Sequence, residues 1–129
     1  MGSGCARTLV SGTLSTVTNC LFCAIASGDI PATIISEDDR IVVFADVNPQ
    51  APTHLLAIPR EHHTDFASLV AADPQLATDV VAAATKAARD AGLTNGYRIV
   101  FNTGRDGGQS VAHVHAHVLG GRQLTWPPG

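Results

Sequence analysis

The chain has 129 residues and no stretch of about 18 consecutive apolar ones, so the sequence offers no segment that would span a membrane as a helix. It lacks the basic excess of a nucleic-acid surface: eight Lys and Arg against eleven Asp and Glu leave a formal net charge of -3. A small anion remains an acceptable ligand, provided local donors hold it. Three cysteines are too few for a disulfide framework, and the opening MGSGCARTLVSGTLSTVT lacks the compact apolar core of an export signal. A cytoplasmic location is therefore expected. The MGSG start has Ala6 where a myristoylation pattern wants Ser or Thr, which favours a cloning scar or a natural loose tail. No internal repeat is visible.

Against these absences, 45% of the residues are hydrophobic, enough for one domain with a real core. Residues 1–18 are rich in Gly, Ser and Thr without periodicity and are expected to be a disordered tail, with the domain covering 19–129. LFCAIASGDIP predicts a short helix ended at Gly28 and stopped by Pro31. TIISEDDRIVVFADV predicts two strands about the acidic turn Glu37–Asp39, and THLLAIP a third. Asp73 and Pro74 are a helix start, Gly92 its end, with amphipathic spacing between. YRIVFNTG and VAHVHAHVLGG predict strands four and five. The fold class expected is α+β: a mainly antiparallel five-stranded sheet, one long helix and a short N-terminal helix.

HVHAHVLGG concentrates half of the chain's six histidines in five positions. On a strand, His113, His115 and His117 share one face and Val114, Ala116 and Val118 the other. The aliphatic set belongs to the core, leaving the imidazoles to a cleft or to solvent, spaced roughly 6.5–7 Å apart and able to line one small ligand. A solvated strand with incidental histidines is the plainest reading. A three-histidine zinc site is sharper, but the outer pair of a straight strand lies about 13–14 Å apart at the backbone, too far to converge on one ion. A nucleophilic centre explains the pattern better, because imidazole is largely neutral and nucleophilic at pH 7. The preceding loop, Gly104 to Ser110, suits a phosphorus target: glycines let backbone N–H groups approach phosphoryl oxygens, and Ser110 adds a hydroxyl. Separately, Cys20-x-x-Cys23 has metal-ligand spacing but fills only half of a tetrahedral site; His62, His63 and His113 are the candidate partners, and two metal-free thiols are the simpler alternative.

GGQSVAHVHAHVLGGRQLTWPPG, with GDIPATIISEDD, FADVNPQAPTHLLAIP and GYRIVFNTGRDGGQS, resembles the histidine triad (HIT) superfamily, and the Trp-Pro-Pro-Gly ending resembles its Hint branch of purine nucleoside phosphoramidases. The resemblance implies hydrolysis of nucleoside phosphoramidates or acyl adenylates through a nucleotidyl-histidine intermediate, with His115 as nucleophile and no cofactor needed for catalysis. It implies that His117, Ser110 and the backbone of Gly108 and Gln109 hold the phosphoryl oxygens, that Asn102 positions the phosphate or His115, and that His54 completes the histidine set. Asp46 matches the family's ribose-binding acid; Phe22, Ile25, Phe44 and Val47 match its base-pocket wall. It further implies a homodimer, built largely from the long helix and residues 97–103, in which Trp126 shapes leaving-group selection. Some bacterial members carry structural zinc on positions matching Cys20, Cys23, His62 and His113, which leaves His63 as a surface residue. The competing readings are a nucleotide-binding or scaffold protein with vestigial catalysis, and a zinc hydrolase using the histidine strand itself.

Overall fold

A computed structural model describes residues 20–129; the expected tail, residues 1–18, lies outside the described residues. Helix α1 spans Leu21–Ser27, strand β1 Ile34–Glu37, β2 Ile41–Ala45 and β3 Thr53–Pro59. Helices α2, Phe66–Ala72, and α3, Pro74–Asp90, follow, then β4, Tyr97–Val100, and β5, Ala116–Gly120. The strands form one open antiparallel sheet in the order β1-β2-β3-β5-β4. The expected α+β class is therefore the one found.

Local chemistry explains the element ends. Gly28 takes the left-handed conformation (φ 87°) that closes α1, its N–H reaching the Ile25 carbonyl. The Asp73 carboxylate accepts from the Leu76 amide and caps α3, with Pro74 in the first turn where no N–H is needed. Helix α2 was not expected from the sequence. Asp65 caps it by accepting from the Ser68 amide, and Leu69 is its single buried anchor, too short a pattern to declare itself.

The sheet separates two cores. On one face Ile41, Val43, Leu55, Ala57, Val114, Ala116 and Val118 meet Leu76, Val80, Ala84 and Ala88 of α3, whose small side chains let the helix approach closely. On the other, Val42, Phe44, Leu56 and Ile58 meet Phe22 of α1. Alternation along β2 and β3 feeds both cores, as period-two geometry requires. The aliphatic set around the histidines packs against α3, as expected.

Strand five is shorter than expected. Ala57 pairs with Ala116, so the next same-face step would set Pro59 against Val114. Proline has no N–H for the ladder, and the Val114 amide instead donates to the His63 carbonyl at 2.8 Å. His113, Val114 and His115 thus lie outside the strand. Strand four likewise ends at Val100 rather than continuing through Gly104.

Candidate active site

The three histidines do not line one ligand, which corrects the straight-strand expectation. Because the chain bends before Ala116, His113 turns into a cluster with Cys20, Cys23 and His62, while His115 and His117 face each other with ring centres 4.8 Å apart. Two of them are shielded from solvent, His113 at 0% and His115 at 4% exposed, both under α1, while His117 is half-buried. The Phe22 ring stands edge-on to both, centred 6.1 Å from His113 and 5.0 Å from His115.

Backbone partners assign the protons on these rings. Only an N–H can donate to a carbonyl, so His115 Nδ1, 2.8 Å from the His113 carbonyl, carries the hydrogen and leaves Nε2 with its lone pair. His113 Nε2 donates to the Pro59 carbonyl at 2.8 Å, which frees Nδ1 as an acceptor or ligand. In His54, Nδ1 accepts from the Gln50 amide at 3.0 Å, so Nε2 bears the hydrogen and donates to His117 Nδ1 at 2.8 Å. His117 is thereby left with an N–H at Nε2. The same assignment disposes of a metal between Asp46, His54 and His117, although these atoms lie within 4.8 Å of one another. A metal would need the Nε2 lone pair that His54 does not have.

Burial dominates the electrostatics. It pushes His117 down to about 4, assisted by the neighbouring imidazoles of His115 and His54. It also lowers His115, against the stabilising pull of the His113 carbonyl and Asp46. A neutral His115 at pH 7 follows, with an unprotonated Nε2.

The surrounding candidates are distributed as follows. Asn102 lies two residues past the end of β4, whose Val100 pairs with His117, and is half-buried. Ser110 is exposed at the end of the glycine loop. That loop is a closed turn: the Gly108 amide donates to the Arg105 carbonyl and the Gln109 amide to the Gly104 carbonyl, both at 3.0 Å. Gly108 has φ 82°, and a side chain at Gly107 would collide with the Thr103 carbonyl. The Gln109 side chain ties the turn down. Its carboxamide accepts from the Gly104 amide and donates to the Thr64 and Val111 carbonyls. Asp46 accepts from the Asn48 amide and lies 3.4 Å from His54 Nε2. Phe22 and Phe44 are buried and edge-to-face at 5.5 Å, and Ile25 packs beside them. Val47 is 96% exposed and Trp126 80% exposed.

Cys20, Cys23, His62 and His113 converge from α1, the β3–α2 connection and the turn before β5. His62 Nδ1 lies 3.4 and 3.3 Å from the two sulfurs, and His113 Nδ1 3.3 and 3.4 Å. Each nitrogen is thus as near one sulfur as the other. A tetrahedral zinc with ordinary bond lengths would give sulfur–nitrogen edges of about 3.6 Å. Cys20 is a free thiol and Cys23 is disulfide-bonded, so two thiolates and two imidazoles, a donor set that suits zinc, are presented here once Cys23 is reduced. His63 is not the surface residue expected: it is half-buried, paired with Glu61 at 2.9 Å, and its carbonyl holds Val114.

The HIT domain pattern matches residues 27–124. The chain belongs to the HIT domain family. A HIT family hydrolase from Legionella pneumophila superposes with a TM-score of 0.83 at 52% identity, covering 86% of this chain and 100% of that one. A histidine triad nucleotide-binding protein from Candida albicans gives 0.73 at 28% identity, covering 84% and 83%. A 14 kDa zinc-binding protein of Zea mays is 42% identical over 111 residues, 84% of this chain and 87% of its own length. Among the described residues of this HIT protein, no helix is long and apolar enough to cross a membrane.

Sequence reasoning missed the groups that act through the main chain. The carbonyls of Pro59 and His113 and the Gln50 amide decide which nitrogen of each imidazole is free. No side-chain identity announces them.

Proposed function

We propose that this HIT protein hydrolyses purine nucleoside phosphoramidates and acyl adenylates to the nucleoside monophosphate through a covalent adduct on His115. The observation that carries the reading is the tautomer of His115, with Nδ1–H given to the His113 carbonyl and a lone pair on Nε2. Nε2 attacks the α-phosphorus, forming an N–P bond as the bond to the leaving amine or carboxylate breaks. A leaving amine takes its proton through the Ser110 hydroxyl, and the water that attacks phosphorus in the second step returns a proton to Ser110, so the serine ends as it began. The Nδ1–H stays in place, so the adduct is a phosphorylated imidazolium whose charge the His113 carbonyl tempers. Such an imidazolium leaves readily when water attacks phosphorus, which regenerates the neutral ring and releases the monophosphate.

His117 Nε2–H donates to a phosphoryl oxygen, its orientation held by His54, while Asn102 and the Gly108–Ser110 loop hold the others. Asp46 accepts from the ribose hydroxyls, and Phe22, Ile25, Phe44 and Val47 bound the base. Zinc would be held by Cys20, Cys23, His62 and His113, where it supplies a closed structural crosslink and no reacting group. Elemental analysis of reduced protein purified without chelator tests it: about one equivalent is expected, and less than about a tenth would remove it.

A homodimer accompanies this reading. Strand β4 has an unpaired outer edge among the described residues, Tyr97 on it is exposed, and Arg98 holds the Thr125 carbonyl at 2.9 Å. That bond sets the exposed Trp126 beside the edge a second copy would extend. Light scattering should give a dimer at micromolar concentration; a monomer would count against it. The functional test is turnover of adenosine 5′-phosphoramidate. His115→Ala should lose at least about three orders of magnitude, since the covalent route disappears with its nucleophile.

A further inference from the structure

The loop between β2 and β3, residues 46–52, carries the amide that sets the hydrogens on two imidazoles. The Gln50 amide donates to His54 Nδ1 at 3.0 Å, His54 Nε2–H donates to His117 Nδ1 at 2.8 Å, and His117 Nε2–H is left for phosphate. Gln50 itself is exposed, and its carboxamide stays inside the loop, donating to the Asn48 carbonyl at 2.9 Å. Asp46 likewise accepts from the Asn48 amide. Pro49 and Pro52 have no N–H with which to tie the segment elsewhere. A bond from another part of the chain comes from Arg122, just past β5. Its guanidinium donates to the Gln50 carbonyl at 3.0 Å and to the Gln123 carbonyl at 3.1 Å. Gly121 sets the chain for this reach: its φ of 93° turns it after β5, and a Cβ there would lie 2.9 Å from that of Pro52.

We infer that Arg122 is a positioning residue for the phosphate-holding histidine: by holding the Gln50 carbonyl it keeps the Gln50 amide on His54 Nδ1, and so keeps the hydrogen of His117 on Nε2. The inference rests on the role given to His117 above. Residues after Gln50 do not need this help, because Ala51 is buried and Thr53 is paired with Gly120. The His54 ring is buried too, so the adjustable part is the exposed loop, and with it the donor that decides the ring's tautomer. Without that donor His54 is free to carry its hydrogen on Nδ1. Its Nε2 would then accept from His117 Nδ1–H, and His117 would turn a bare Nε2 toward phosphate. A charged donor makes the stronger bond to a carbonyl that water also reaches. Arg122 leads into the segment that Arg98 holds at the Thr125 carbonyl, so the stretch bearing Trp126 and the histidine relay share one tie.

Nitrogen-15 NMR of the histidine rings in substrate-free protein reads the relay without any assay of activity. In wild type, His54 and His117 should each show a protonated Nε2 and a bare Nδ1. Arg122→Met keeps the aliphatic stem and removes the donors. Both rings should then move toward a mixture of tautomers while the circular dichroism is kept. On adenosine 5′-phosphoramidate its kcat should fall roughly three- to ten-fold, the scale of one orienting hydrogen bond, with KM within about two-fold. Arg122→Lys, which still donates to the Gln50 carbonyl, should recover the tautomers and most of kcat. In a His54→Phe background, where no Nδ1 remains to be positioned, Arg122→Met should change kcat by less than about 1.5-fold. Unchanged tautomers in Arg122→Met, or an undiminished fall in kcat in the His54→Phe background, would overturn the inference. General unfolding of Arg122→Met would make the arginine a staple of the fold and overturn it too. A wild type that does not turn over the phosphoramidate would instead defeat the proposed function, a separate failure because the rings are read without substrate.

Discussion

Replacing His54 isolates the part of the site that touches no substrate in the mechanism. Its two ring nitrogens do different work: Nδ1 accepts from the Gln50 amide, and Nε2–H donates to His117 Nδ1 at 2.8 Å. His54→Phe keeps the ring's bulk and removes both. His117 then loses the bond that keeps its hydrogen on Nε2, the atom aimed at phosphate. A buried hydrogen bond of this kind is worth about 1 kcal/mol, and a fully lost oxyanion donor about 3 kcal/mol. Between these limits His54→Phe should reduce kcat by roughly ten- to a hundred-fold. His54→Gln places an amide N–H near the former Nε2, so it should stay within about five-fold of wild type. Single-turnover rates on adenosine 5′-phosphoramidate distinguish the two. The pH profile adds an independent sign: losing the His54 ring removes one of the influences that depress His117, so the acid limb should move upward in pH. Equal losses in both variants, or none in either, would refute the reasoning.

Other consequences are as direct. In metal-free protein His113 and His117 are each held at about 4, chiefly by burial, against 6.5 when unfolded. Their contribution to folding is therefore complete above about pH 6.5 and is lost as pH falls toward 4; urea midpoints should drop between pH 7 and 5. Leu76→Ala opens a cavity beneath α3, where Leu76 is fully buried, and should cost about 2–5 kcal/mol in denaturation while leaving turnover per folded molecule unchanged. Gln109→Leu removes the three bonds that close the glycine loop and should lower kcat/KM by roughly ten-fold without altering zinc content.

Much of the architecture was readable because it rests on local rules. Asp73–Pro74 and Gly92 frame α3, and alternation in IVVFA and THLLAIP marks two strands. The division of labour among the histidines was not readable, and the reason is specific. Periodicity assumes a continuous strand, whereas Pro59, a residue more than fifty positions away, ends the ladder and swings His113 into the cysteine cluster. Spacing did suggest Cys20 and Cys23 as a pair, while convergence of His62 upon them needed the β3–α2 connection to be placed. Proton positions lay furthest from reach, since main-chain carbonyls decide them and every residue has one.

The most direct test is rapid quenching of a reaction with adenosine 5′-phosphoramidate, followed by mass spectrometry of the peptide containing His115. A transient nucleotidyl adduct on that imidazole, formed and consumed at rates compatible with turnover and missing from His115→Ala, is the result expected. Substrate consumed with no adduct at any time, and an alanine variant that still turns over, would contradict the account.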